Sequence, residues 1–217
     1  MRVYHFLNRE YGLRGIADRR LKIATIGGLN DPFEMIAAAS PHPAERAALL
    51  RSKEELSRQR GMLCFSRNWR NPVMWGHYAE KHQGLCLGFD VPDSYLERVR
   101  YQQRRLKIDT AVVDRGGQAA LDFVLALMNT KFSHWRYENE MRLFVSLDQP
   151  DPSGLYFAEF SDHLLLREVI VGHGSTISRA ELAETLGERA ANVAVKKARL
   201  AFRSFAVVTQ RRADMWR

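Results

Sequence analysis

The stretch HWRYENEMRLF, residues 134–144, sets acid, acid and base on alternate positions at Glu138, Glu140 and Arg142. Read as a strand, these three side chains share one face, while Tyr137, Asn139, Met141 and Leu143 take the other. Two carboxylates held side by side repel, and a neighbouring guanidinium keeps them ionised. Such a pair suits a reaction passing through a ribosyl oxocarbenium cation. One carboxylate binds a ribose hydroxyl and offsets positive charge, while the second orients or deprotonates the attacking group. The same alternation also describes a solvated strand face, although Trp135 and Phe144 argue against a plain surface edge. At the level of the residues both readings stand.

Other chemistry-bearing residues are spread along the chain. His5, in RVYHFL, shares a strand face with Val3 and Leu7. It reads either as a satisfied sheet residue or as a donor and acceptor for a ribose hydroxyl. GMLCFS runs into a loop with Ser66, Arg67 and Asn68, then into NPVMWGHYAEKHQG. On a helix, Trp75, Tyr78 and His82 fall on one stripe. That stripe marks Trp75 as core, whereas the Tyr78 ring is suited to stack on a flat heterocycle while its hydroxyl stays wet. Asp31 and Glu34, in LNDPFE, could bind a cation or a ribose, but read first as parts of a rigid turn with a helix N-cap. His77 and His82 lie five apart, outside the spacing of a helical zinc pair, and HExxH is absent, so no metal site is expected. The chain has no P-loop, GxGxxG, kinase set or GxSxG elbow.

These residues need a scaffold, and the pattern predicts one. A strand (RVYHFL), a helix (REYGLRGIADR) and a short strand (LKIAT) open the chain. Residues 43–60 read as a helix with Leu49, Leu50 and Leu56 on an apolar face. NPVMWGHYAEKHQG reads as a helix closed by Gly84 at its C-cap, and GQAALDFVLALMNTKFSHW as one long helix. GHGS, residues 172–175, reads as a strand-to-helix turn. Ser178 with Glu181 forms an expected capping box. Strand neighbours late in the chain argue for an α+β class, a single domain over residues 1–217 with a mixed or split β-sheet flanked by helices.

Bulk composition narrows the setting. With 217 residues, 46% hydrophobic and 27% charged, the chain can bury one sizeable core. No apolar run reaches the roughly 20 residues of a membrane span, and the opening lacks a signal-peptide pattern, so a cytoplasmic location is expected. Cys64 and Cys86 lie in apolar runs and read as buried free thiols. The net charge of +8 comes from scattered Lys and Arg, which suits an anionic partner such as nucleic acid, a nucleotide or an acidic protein.

LNDPFE, MWGHYAEKHQGLCLGFD and YENEMRLF, in that order, resemble a bacterial family of unknown function, domain-of-unknown-function family 2971. The resemblance covers roughly residues 3–172 and carries no activity by itself. The chain is also similar, more weakly, to ADP-ribosyltransferases in the order His5, Phe65 and Ser66, Tyr78, Glu140, though their serine-threonine-serine triplet is absent. That second resemblance implies NAD as cofactor and a nucleic-acid or protein acceptor. It implies that His5 holds the adenosine-side ribose or orients the cofactor, Tyr78 stacks the nicotinamide, and Ser66 belongs to the strand that borders the cofactor. Glu140 would hold the nicotinamide ribose, Glu138 would position the acceptor, and Arg67 would meet the diphosphate. Two other classes fit the same residues: a metal-independent nuclease or toxin-like RNase using His77 or His82, and a non-catalytic nucleotide- or nucleic-acid-binding domain.

Overall fold

Alternation of apolar and polar residues at the N-terminus gives β1 (Arg2–Leu7), which runs through the middle of a nine-stranded sheet. The computed structural model describes residues 1–108 and 116–216. The other strands of the sheet are β2 (Ala24–Thr25), β3 (Arg60–Ser66), β4 (Leu85–Asp90), β5 (Glu97–Arg98), β6 (Glu140–Ser146), β7 (Leu165–Val171), β8 (Ala194–Leu200) and β9 (Val207–Thr209). Their order is β9-β8-β7-β4-β1-β3-β6-β5, with β2 paired to β3. Only β7 and β8 run parallel; the remaining pairs are antiparallel. Five α-helices are described: α1 (Arg9–Ala17), α2 (Pro43–Gln59), α3 (Pro72–Tyr78), α4 (Gly117–Met128) and α5 (Arg179–Leu186). The class is α+β with one large mixed sheet, as the sequence pattern predicts.

The sheet has a seam. β1 pairs β4 at six positions and β3 pairs β6 at seven, but β1 meets β3 only where Tyr4 faces Ser66. Away from that point the backbone groups of β1 and β3 must find other partners. On one face of the sheet the largest core gathers Val3, Leu63, Phe65, Leu87 and Phe89 beneath Ile16 of α1 and Leu182 and Leu186 of α5. The opposite face carries two smaller clusters. Phe6, Met74, Trp75 and Cys86 pack under α3, and Ile26, Met35, Met62 and Met128 pack beside the end of α4. Burying side chains of this size contributes about 1.5–3 kcal/mol each. The seam opens between these two clusters.

Local chemistry sets the helix ends. The side-chain oxygens of Asn8, Asn71 and Ser178 accept from the N–H groups of Tyr11, Val73 and Glu181, capping α1, α3 and α5. The second half of the expected capping box is replaced by an ion pair, because Glu181 turns to Arg9. The helix after Asn71 stops at Tyr78, six residues short of Gly84. Glu80, Lys81 and His82 all have positive φ (49°, 53° and 71°), a tight left-handed turn no helix can continue through. Gly84 is needed for close approach and not for a cap: a Cβ there would lie 2.1 Å from the Leu7 carbonyl oxygen. The long helix predicted through Trp135 ends at Met128 and gives way to a strand at Thr130–Phe132. α2 buries none of its residues fully: Leu56 is half-buried against the cluster of Ile26, Met35, Met62 and Met128, while Leu50 remains 57% exposed.

Candidate active site at the seam between β1 and β3

Glu138 is not on a strand. It closes a 3-10 turn, Ser133–Glu138, and β6 begins only at Glu140. Between them Asn139 adopts the left-handed conformation (φ 45°, ψ 52°), which an asparagine tolerates better than most residues. This reversal brings both carboxylates to the same place by a route that strand alternation does not describe. Glu140 and Arg142 do share a face of β6, opposite Ser66 and Cys64 of β3.

Around them lies a buried charge cluster. Lys131 Nζ is 2.8 Å from Glu138 Oε2 and 2.7 Å from Glu140 Oε2. Arg142 Nε donates to Glu140 Oε1 at 3.0 Å, and its Nη1 donates to Glu34 Oε1 at 2.6 Å and to the Met128 carbonyl. Arg142 and Glu34 have no exposed side-chain surface. Three carboxylates thus face two cations, an excess of one negative charge when all are ionised. Burial pushes Glu34 and Glu138 above the ordinary carboxylate value, and the cations pull them only partly back. Burial acts on Glu140 in the same sense, but Arg142 and Lys131 outweigh it and hold Glu140 below that value. The mirror effect raises Lys131 and Arg142 above theirs, against the cost of burial. One acceptor, Glu34 Oε2, has no hydrogen-bond partner.

Above the cluster is a cavity of about 150 Å³ whose lining includes Tyr4, His5, Ser66, Tyr78, Glu138 and Glu140. His5 reaches it although alternation turns its side chain toward the large core. Where β1 and β3 part, the Cys64 carbonyl lacks a ladder partner, and His5 Nδ1 stands 2.8 Å from it. Because a carbonyl only accepts, Nδ1 carries the proton and Nε2 is the acceptor. Burial lowers the His5 pKa and keeps the ring neutral. Tyr78, at the end of α3, donates to Glu138 Oε1 at 2.5 Å and accepts from Asn30 Nδ2 at 2.8 Å. Burial and the Glu138 carboxylate push its phenol well up, so it remains a donor.

Of the six residues singled out in the sequence, His5, Ser66, Tyr78, Glu138 and Glu140 line this one cavity. Ser66 does so with its hydroxyl engaged by the Asn68 backbone, donating to the carbonyl at 3.1 Å and accepting from the N–H at 3.2 Å. Arg67 is exposed and outside the lining; its N–H donates to the Asn139 carbonyl at 3.0 Å, steadying the turn between the two glutamates. His77 and His82 also lie outside it. His77 is hydrogen-bonded to the Tyr137 hydroxyl at 3.1 Å, and His82 is stacked on Trp75. Sequence reading passed over Lys131, Lys22 and Asn30, and assigned Glu34 to a turn. LNDPFE held the signal for two of these, since its turn delivers Asn30 to Tyr78 and Glu34 to Arg142. Nothing local distinguishes Lys131 or Lys22 from the many other cations.

Among the described residues no group of three or more His, Cys, Asp or Glu is arranged to hold a metal ion, and no helix is long and apolar enough to cross a membrane. No family model, curated protein or solved structure matches the chain.

Proposed function

We propose that the seam cavity binds the nicotinamide-riboside end of NAD and that the protein is an ADP-ribosyltransferase-like enzyme with a nucleic-acid or protein acceptor. The observation that carries this reading is the gathering of His5, Tyr78, Glu138 and Glu140 around one cavity with an excess of carboxylate beneath it. A pyridinium ring is a flat cation, and the oxocarbenium formed when it leaves is a cation too. A buried anionic floor stabilises both more than water would. The cavity volume, about 150 Å³, suits a ring and not a dinucleotide, so the rest of the cofactor extends out of it.

The step assigned to these residues is a substitution at the ribose C1′. The bond to the pyridinium nitrogen breaks, and its electron pair stays with nicotinamide, which leaves neutral. Glu140, held ionised by Arg142 and Lys131, retains lone pairs for a ribose hydroxyl. The nucleophile's lone pair forms the new bond to C1′, and its proton passes to Glu138, the more basic carboxylate. Tyr78 offers its ring to the nicotinamide, and His5 Nε2 accepts from a ribose hydroxyl. For the diphosphate, the exposed Lys22 lines the cavity directly, while Arg67 stands beside the Asn139 turn.

Release of nicotinamide from NAD, with water as acceptor, needs no knowledge of the natural acceptor. Glu140→Gln is expected to slow that release by about a hundredfold or more while leaving NAD binding in place. Unchanged release in Glu140→Gln would remove the reading.

A further inference from the structure

Phe202 and Phe205 hold their rings fully in solvent, at 99% and 101% of full exposure. No other large hydrophobic side chain among the described residues exceeds 59%. Both lie in the loop between β8 and β9, which closes where the Ala201 N–H donates to the Ala206 carbonyl at 2.9 Å. One residue on, the Val207 N–H donates to the Arg70 carbonyl at 2.8 Å. The base of the loop is therefore tied to the segment that runs from Ser66 into α3, the helix that delivers Tyr78 to the cavity.

Arginines occupy the loop and its base: Arg203 lies within it, Arg199 just before it on β8, and Arg70 across the Val207 hydrogen bond. Arg212 is paired with Asp214 at 2.6 Å, whereas Arg70, Arg199 and Arg203 have no carboxylate partner among the described residues. Two bare rings amid unpaired guanidinium groups match an extended polyanion that also carries flat rings. Bases stack on aromatic faces, and a guanidinium both stacks and forks onto phosphate. A lipid surface fits less well, because Arg203 lies between the two phenylalanines in sequence and is itself exposed, so a charge would approach hydrocarbon with the rings. We infer that the loop of residues 201–206 docks single-stranded nucleic acid, with Phe202 and Phe205 stacking on bases and Arg70, Arg199 and Arg203 on phosphates. If the cavity transfers ADP-ribose, the strand held here belongs to the acceptor class. The docking itself is measured without NAD and stands or falls separately.

The test is fluorescence anisotropy with a labelled oligothymidylate of about 20 nucleotides, beside a duplex of equal length and vesicles of phosphatidylcholine with phosphatidylserine. Wild type should bind the single strand, more weakly as salt rises. The double variant Phe202→Ala/Phe205→Ala should bind about tenfold or more weakly at an unchanged melting temperature, and Phe202→Trp/Phe205→Trp should bind at least as well as wild type. Arg203→Ala should flatten the salt dependence. Equal binding by the double alanine variant would overturn the inference. So would wild type that binds no single strand at low salt, or ring-dependent binding to vesicles but not to the oligonucleotide.

Discussion

Lys131 is the residue on which the charge cluster depends. Its ammonium touches Glu138 and Glu140 at once and lies 3.9 Å from Glu34. Removing one member of a buried ion network leaves its partners uncompensated, at a cost of about 3–5 kcal/mol. Lys131→Met should therefore lose stability on that scale by urea unfolding. The loss should be larger at pH 8 than at pH 5, because the orphaned carboxylates can be relieved by a proton at the lower pH. In the wild type the three glutamates pull in opposite directions. Glu140, depressed in the folded state, stabilises above its ordinary value of 4.5 and loses that contribution as pH falls toward its folded value. Glu34 and Glu138, raised, stabilise most below their unfolded value and lose that contribution as pH rises through their folded ones. Urea midpoints of wild type and Glu140→Gln should thus stay separated at neutral pH, begin to converge below about pH 4.5 and meet as pH falls through about 2. Convergence at higher pH would mean that Arg142 and Lys131 do not outweigh burial at Glu140.

Elements place these residues through turns more than through regular structure. Asn139 reverses the chain between the two glutamates in a conformation that costs an L-residue about 1–2 kcal/mol, and more when β-branched. Asn139→Gly should be close to neutral in stability, whereas Asn139→Val should be destabilised and should disturb Glu138 before Glu140, read as loss of nicotinamide release. Gly84→Ala should cost about 1–3 kcal/mol by denaturant titration, since its Cβ would collide with the Leu7 carbonyl and part β1 from β4. These turns also explain what the sequence concealed. The strands of the sheet were legible because period-two alternation and β-branched runs are local signals. The end of α3 was not, because the left-handed residues Glu80, Lys81 and His82 carry no glycine to announce them. Glu138 was placed on a strand it does not join, yet its meeting with Glu140 was read from the spacing. Glu34 was read first as part of a turn, and its pairing with Arg142 was hidden because the two are 108 residues apart.

For the whole molecule, the seam is the feature on which the proposed function rests. Two blocks of sheet share one paired position, and the space between them is where charge, an aromatic ring and a neutral imidazole converge. No local pattern predicts which two strands will part, so the cavity could not be found from sequence, although five of the residues that line it could. The chain as a whole carries a formal charge of +8, while three carboxylates face two cations beneath the cavity, a division that would suit a cofactor with an anionic diphosphate and a cationic pyridinium. The most direct measurement is calorimetric titration with NAD, up to millimolar concentration, of wild type and Tyr78→Ala. It should be run at two temperatures, because burial of an apolar ring carries a heat-capacity change that keeps the enthalpy from vanishing at both. Saturable binding at one site, lost in Tyr78→Ala, is the expected result. Absence of heat from wild type at both temperatures, or equal binding by the two proteins, would mean that the seam cavity is not a nicotinamide site.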